Sequence, residues 1–195
     1  MPLDVPLRCR CGLVRGVAID VSPSNGIRFV CYCKDCQAFA RFLERSDVLD
    51  GAGGTDIFQM PPGRVKVTAG TDAMRCVRLS GKVLRWYTDC CRTPIANTAA
   101  WPTVPFVGMI HSFMDHADSL SRDDVLGPPL CRLYEGSATG PLPLKGPPPP
   151  SFGLFALRTS RVLRWWIRGL GRPTPFFDDR TQAPCAEPRV LTRSE

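Results

Sequence analysis

"CYCKDCQAF", residues 31–39, is the stretch whose reading decides the rest of the chain: three cysteines in six positions, followed by an apolar helix start. Its spacing is C-x-C-x2-C. Residues two apart on an extended segment point the same way, and a C-x2-C bend brings two sulfurs round to one point, so all three thiols can face a single ion. Two further groups accompany it, "CRCG" with Cys9 and Cys11 and "DCCRTP" with Cys90 and Cys91. Clustered thiolates favour zinc over magnesium or calcium, whose ligands are oxygens. An iron–sulfur cluster, which needs four thiolates, is the other candidate on count.

Composition sets the setting for that chemistry. The 195 residues suit one domain with an appendage or two small ones, and 44% hydrophobic with 22% charged residues is ordinary for a globular protein. Twenty prolines and seventeen glycines point to short strands and many turns. The formal charge of +7 favours anionic ligands, nucleic acid or an acidic membrane surface without choosing among them. "MPLDVPLRCRCG" shows no basic start followed by an apolar run, and no apolar stretch reaches membrane-spanning length. The expected location is therefore cytoplasmic, where the ten cysteines would be reduced and close pairs read as metal ligands.

Three zones follow. In residues 1–125, "GRVKVTAG" (63–70) reads as a strand with Val65 and Val67 on one face. "MRCVRLSGKVLRWYTDCC" (74–91) reads as a hairpin turning at Ser80-Gly81, and "FVGMIHSF" (106–113) as another strand. "CQAFARFLERS" (36–46) has one or two turns of helix. Residues 126–150, ending in "GPLPLKGPPPP", are expected as a proline-rich linker. Residues 151–195 are expected as a basic amphipathic helix and tail, with Ser151 as N-cap and Gly171 and Pro173 as the stop. At about 100° per residue, Phe155, Ala156, Val162, Leu163, Trp166, Ile167 and Leu170 share one face, opposite Arg158, Arg161, Arg164 and Arg168. The expectation is that this apolar face covers the β domain. The other use of such a helix is to lie on an anionic membrane or dock a partner.

Four stretches in order, "CRCGLVRG", "CYCKDCQAF", "GGTDIFQ" and "WYTDCCRTP", resemble the glutathione-dependent formaldehyde-activating enzyme family, which includes centromere protein V, over residues 7–115. The resemblance implies a mainly β, compact zinc-bearing fold, related to that of methionine-R-sulfoxide reductases, here with a C-terminal helix. It implies a structural zinc on Cys9, Cys11 and Cys91, and a second, open and labile zinc on the catalytic trio Cys31, Cys33 and Cys36. The family pattern would put the remaining structural ligand at Thr88, a poor zinc ligand, while the chain offers Cys90 next door. The structural set is therefore Cys9, Cys11, Cys90 and Cys91, or three cysteines with a fourth ligand from elsewhere.

Three thiolates leave a four-coordinate zinc one position short, and catalytic zincs keep such a position. A small thiol can fill it and ionise near neutral pH. The resemblance supplies the substrate pair, glutathione and formaldehyde, and thus a carbon–sulfur lyase-type activity on S-hydroxymethylglutathione. Zinc loss followed by cysteine oxidation is a rival role for the trio. The alternative function is a non-catalytic zinc module that binds nucleic acid, a membrane surface or a protein through its arginines. Arginine alternates with aromatic residues only in "RWWIRG", too short for a stacking surface on single strands. His111 and His116 read as a satisfied strand histidine and a surface histidine. Cys76, Cys131 and Cys185 read as ordinary thiols, and Asp56, Asp72 and Asp89 as turn caps. No serine–histidine–aspartate set, phosphate loop or dinucleotide fingerprint is present.

Overall fold

Two sheets form the molecule in a computed structural model that describes residues 2–79, 81–115, 121–144 and 146–191. The smaller sheet has β1 (Leu3–Arg8), β2 (Arg15–Val21) and β5 (Val65–Ala69) in the order β1-β2-β5. The larger contains β3 (Ile27–Cys31), β4 (Thr55–Met60), β6 (Met74–Arg78), β7 (Val83–Thr88), β8 (Pro94–Ala99), β9 (Val107–Ile110), β10 (Arg132–Leu133) and β11 (Pro188–Val190). Its order is β10-β3-β4-β9-β8-β7-β6-β11. The described residues form three α-helices, α1 (Lys34–Phe42), α2 (Arg122–Leu126) and α3 (Phe152–Ile167). The fold is mainly β with a C-terminal helix.

Alternation along the strands sorts their residues between two buried faces. On one face, Phe58, Met60, Leu84, Trp86 and Met109 of the large sheet pack on Val5, Leu7, Ala18, Val21 and Val65 of the small one. On the other, α1 lays Phe39 and Leu43 on Val77, while Cys31 and Cys36 pack with Ile57 and Ile110. Both faces being buried, apolar residues and a few polar ones occupy every position of β8. The expected strands at 63–70 and 106–113 and the hairpin of 74–91 are present; Ser80 of its turn lies outside the described residues.

Residues 126–150 are more than a linker. Arg132 and Leu133 pair in parallel with Val30 and Cys31, so this segment supplies an edge strand to the main sheet. The tail is equally built in: Phe176 and Phe177 pack on Trp86 at ring-centroid distances of 5.3 and 6.2 Å, and Pro188–Val190 pair with β6. Apolar side chains that have no helical or strand period of their own still gain by burial against a large indole, which no local pattern reveals.

The expectation for α3 is overturned. Its start is as read, with the Ser151 hydroxyl accepting from the Leu154 N–H at 3.2 Å, and it ends at Gly169, whose φ of 64° is left-handed. Its orientation is inverted. Trp165 is the buried side chain, and Arg161 turns inward to donate to the carbonyls of Pro23 and Gly26. Of the expected inner face, Phe155, Ala156, Leu163, Trp166 and Ile167 are exposed, while Val162 and Leu170 are half-buried. The carbonyl of the buried Gly26, in the β2–β3 connection, takes the Arg161 guanidinium and so favours the arginine side of the helix, because a buried carbonyl without a partner is costly.

Candidate metal centres

Two hairpin turns build the first cluster. The β1–β2 turn carries Cys9 and Cys11, and closes through Gly12, whose φ of 79° a side chain would oppose. The β7–β8 turn carries Cys90 and Cys91, closed by the Arg92 N–H donating to the Thr88 carbonyl at 2.8 Å. One turn belongs to each sheet, so their meeting ties the two layers together. The Sγ separations are 3.5 Å for Cys9–Cys11, 3.9 Å for Cys9–Cys90, 3.3 Å for Cys11–Cys90 and 3.8 Å for Cys90–Cys91. A tetrahedral ion with metal–sulfur bonds of about 2.3 Å places its sulfurs about 3.8 Å apart. All four sulfurs lie within 4.8 Å of one another, so the vicinal cysteines do share the site. Thr88 is not a ligand in this arrangement; its hydroxyl lies 3.4 Å from the Cys91 sulfur and accepts from the Thr93 N–H. The Val14 N–H donates to Cys9 Sγ at 3.2 Å, as backbone amides do around metal-bound thiolates. Burial pushes the Cys91 thiol up, but the hydroxyls of Thr88 and Thr93 and the Cys11 N–H outweigh it and hold the thiol at about 5.

The second cluster sits where β3 turns into α1. Cys31 ends the strand, Cys33 is the N-cap, and Cys36 lies in the first turn, its N–H donating to the Cys33 sulfur at 3.4 Å. The helix N-terminus directs its free amides at this thiol. The three sulfurs lie within 4.8 Å of one another, and no fourth cysteine, histidine or carboxylate joins them among the described residues. Hydrogen bonds from Cys31 and Cys36, and the nearby Arg85 charge, hold the Cys33 thiol down at about 2, while Cys31, giving its proton into the same network, is raised.

The surroundings hold the trio in place. The buried Gln37 donates to the carbonyls of Tyr32 and Ser137, which clamps the residue between Cys31 and Cys33. The Tyr32 hydroxyl donates to Asp50, and Asp50 accepts from the Ala52 and Gly54 amides. Gly53 is left-handed at φ 84°, and a Cβ on Gly54 would stand 2.6–2.7 Å from Val30, Tyr32 and Asp50. That is the physical content of "GGTD".

Sequence reasoning missed the polar residues beside the trio. Arg85 is buried in β7, its Nη1 3.5 Å from Cys36 Sγ and 3.1 Å from Asn97 Oδ1, its Nη2 3.7 Å from Asp35, its guanidinium over the Phe39 ring. The Nε of Arg85 and the Oγ1 of Thr55 are buried without partners, and both residues line a cavity of about 10 Å³ with Cys36 and Asn97. That is room for about one water. The available signal was parity: Val83, Arg85 and Tyr87 share a face opposite Leu84 and Trp86, so an arginine in that strand faces a second buried layer. Asp56 was also misread. It caps no turn but sits within β4, where Arg28 at 2.8 Å and Arg122 at 2.9 Å both engage it.

The remaining candidates stay apart from both clusters. His111 is half-buried with Nδ1 3.3 Å from the Asp56 carbonyl, and burial lowers its pKa, so it is a neutral, hydrogen-bonded histidine. His116 lies outside the described residues. Cys76 and Cys131 are buried single thiols and Cys185 an exposed one. Among the described residues no helix is long and apolar enough to cross a membrane.

No curated protein matches the chain in sequence. One family profile does, over residues 1–187, and thus takes in both cysteine clusters, the helix α3 and the aromatic tail together. A match of that extent places the whole architecture in one lineage: the chain belongs to the DUF6151 family, a family of unknown function.

Proposed function

We propose that Cys31, Cys33 and Cys36 form an open, labile zinc site that activates a small thiol, and that the four-cysteine cluster holds a structural zinc. On this reading the protein is a carbon–sulfur lyase-type enzyme. Its best-matched substrate pair is glutathione and formaldehyde, joined as S-hydroxymethylglutathione, the pair implied by the resemblance to the formaldehyde-activating enzymes and their fold. The observation that carries the reading is three converging sulfurs with no fourth ligand among the described residues, set against a buried arginine.

Zinc, when bound, supplies a Lewis-acidic position at which an entering thiol ionises near neutral pH. The trio's thiolates would hold it, and Arg85 offsets their charge. Zinc with three thiolates carries a net single negative charge and with a fourth a double one. A guanidinium at 3.5 Å in a poorly solvated site would therefore favour entry of a fourth thiolate. The cavity beside Cys36 has room for little more than one oxygen-sized atom and nothing the size of a tripeptide, so the thiol must enter past the half-exposed Cys33. Thr55 Oγ1 and Arg85 Nε, the donors without partners, would take the aldehyde oxygen as the C–S bond forms and that oxygen receives the proton the thiol gives up. The overall positive charge draws an anionic thiol. A reducing compartment such as the cytosol keeps the cysteines of both clusters reduced and free to bind metal.

A zinc-stabilised module without activity is the second reading, favoured by the burial of Cys31 and Cys36, each 5% exposed. Cobalt substitution separates the two. Glutathione added to the cobalt-loaded protein should intensify thiolate-to-metal absorption as a fourth sulfur enters, and Cys33→Ser should lose one metal and this response while keeping its fold. Elemental analysis should find two zincs per chain. Spectra indifferent to thiols, or iron in place of zinc, sink the enzyme reading.

A further inference from the structure

The inverted helix leaves an apolar stripe facing solvent. At about 100° per residue, Phe155, Trp166, Thr159, Phe152, Leu163, Ala156 and Ile167 follow one another around one side of α3. Its five large side chains, Phe152, Phe155, Leu163, Trp166 and Ile167, are between 53% and 87% exposed. The domain contacts, Arg161 and Trp165, lie on the opposite side. The apolar surface continues beyond the helix: Phe155, Val162 and Trp166 share an open groove of about 510 Å³ with Val104, Pro105 and Phe106, and Trp101, 54% exposed, begins that loop. Arginines border the stripe on both sides, Arg158 on one and Arg164 with Arg168 on the other, all exposed.

We propose that this face docks on an anionic lipid membrane, with the apolar stripe of α3 in the headgroup–acyl boundary and Arg158, Arg164 and Arg168 against lipid phosphates. An exposed apolar face of this extent is a binding surface. Its form, one wide apolar stripe with arginine borders and tryptophans at its edge, is that of a helix lying in a membrane interface. A second copy of the chain fits worse. Face-to-face association would bring the three arginines of one protomer against those of the other, in a chain already carrying +7. Anionic lipid turns the same arginines from a penalty into an attraction of about 1 kcal/mol each. The surface lies on a different element from both cysteine clusters, so docking would leave the metal chemistry as proposed.

Full-length protein should pellet with vesicles of phosphatidylcholine and phosphatidylserine, and far less with pure phosphatidylcholine, with a blue shift of tryptophan fluorescence that added salt reverses. The double change Trp166→Ser and Ile167→Ser should abolish binding. Arg164→Gln with Arg168→Gln should weaken it roughly 30-fold, at ~1 kcal/mol per arginine. Both variants should melt with the parent protein, since the altered side chains touch solvent. Absence of binding to the anionic vesicles, or binding untouched by the serine pair, overturns the proposal. So does a concentration-dependent dimer in sedimentation that the serine pair dissolves while vesicles go unbound, which would assign the face to a second copy.

Discussion

Arg85 sits in the middle of β7, where the strand needs an apolar residue on each buried face, and its guanidinium lies against the Cys36 thiol of the trio instead. A buried guanidinium is tolerated only beside negative charge or strong acceptors; here Asn97 Oδ1 accepts at 3.1 Å, while Asp35, 3.7 Å away and partly exposed, is a weak charge partner. On the proposed reading the residue is the charge complement of the loaded trio. Arg85→Met keeps the volume and removes the charge. It should lower metal affinity of the trio about 10–100-fold, the range for an outer-shell partner, while the four-cysteine cluster retains its metal; chelator competition measures both. Asp56 makes the matching case away from the metals. Burial pushes its carboxyl up, yet the hydrogen-bonded Arg28, and then Arg122, hold it below the ordinary 3.8. Its stabilising contribution is thus complete above that value and lost as pH falls through the lower folded one. Asp56→Asn should cost about 3–5 kcal/mol at neutral pH, as for a broken buried pair, and should flatten the acid limb of the stability profile. Denaturant titrations at several pH values would show both, and an unchanged acid limb would refute the assignment.

Elements meet at their turns. The β1–β2 and β7–β8 hairpins come from different sheets, and the polar groups that meet between their tips are cysteine sulfurs, the Thr93 hydroxyl and the Arg10 amide. A metal held at that point, as proposed above, would do the work that apolar side chains do between the layers. Cys11→Ser should remove one metal and about 3 kcal/mol, a fall of roughly 6–12 °C in Tm for a chain of this size. A melting curve identical to that of the parent would show that the sheets hold without the cluster. The trio responds differently, because its three residues lie on one continuous β3–α1 segment that Gln37 and Asp50 already clamp. Loss of its metal should leave Tm within a few degrees.

At the scale of the molecule, residues 152–191 belong to the same folding unit as the first hundred. Trp86, fully buried, is covered on one side by Phe176 and Phe177, and the main sheet ends in β11 from the tail. Phe176→Ala should cost about 3–5 kcal/mol through the cavity it leaves, visible as a lower denaturation midpoint. Truncation at residue 150 should fail to give a cooperatively folding protein. A truncated chain that melts as sharply as the whole would separate the tail from the unit.

What the sequence determined by itself was whatever is encoded locally. Thiol spacing in "CYCKDCQAF" and "CRCG", the strand alternation of 63–70 and 74–91, and the Ser151 cap are short-range patterns, and each is found where the residues put it. Cys90 beside Cys91 was legible as a pair, but only the approach of two hairpins could show that both sulfurs reach one point. The partners Arg85, Thr55 and Asn97 come from three strands of the sheet face behind the trio, so no spacing connects them to it. The helix α3 shows the same limit most clearly. Amphipathicity fixes which residues share a side of a helix, but burial has two ways to be satisfied. The carbonyl of the buried Gly26, far away in the chain, drew in an arginine and turned the apolar side outward.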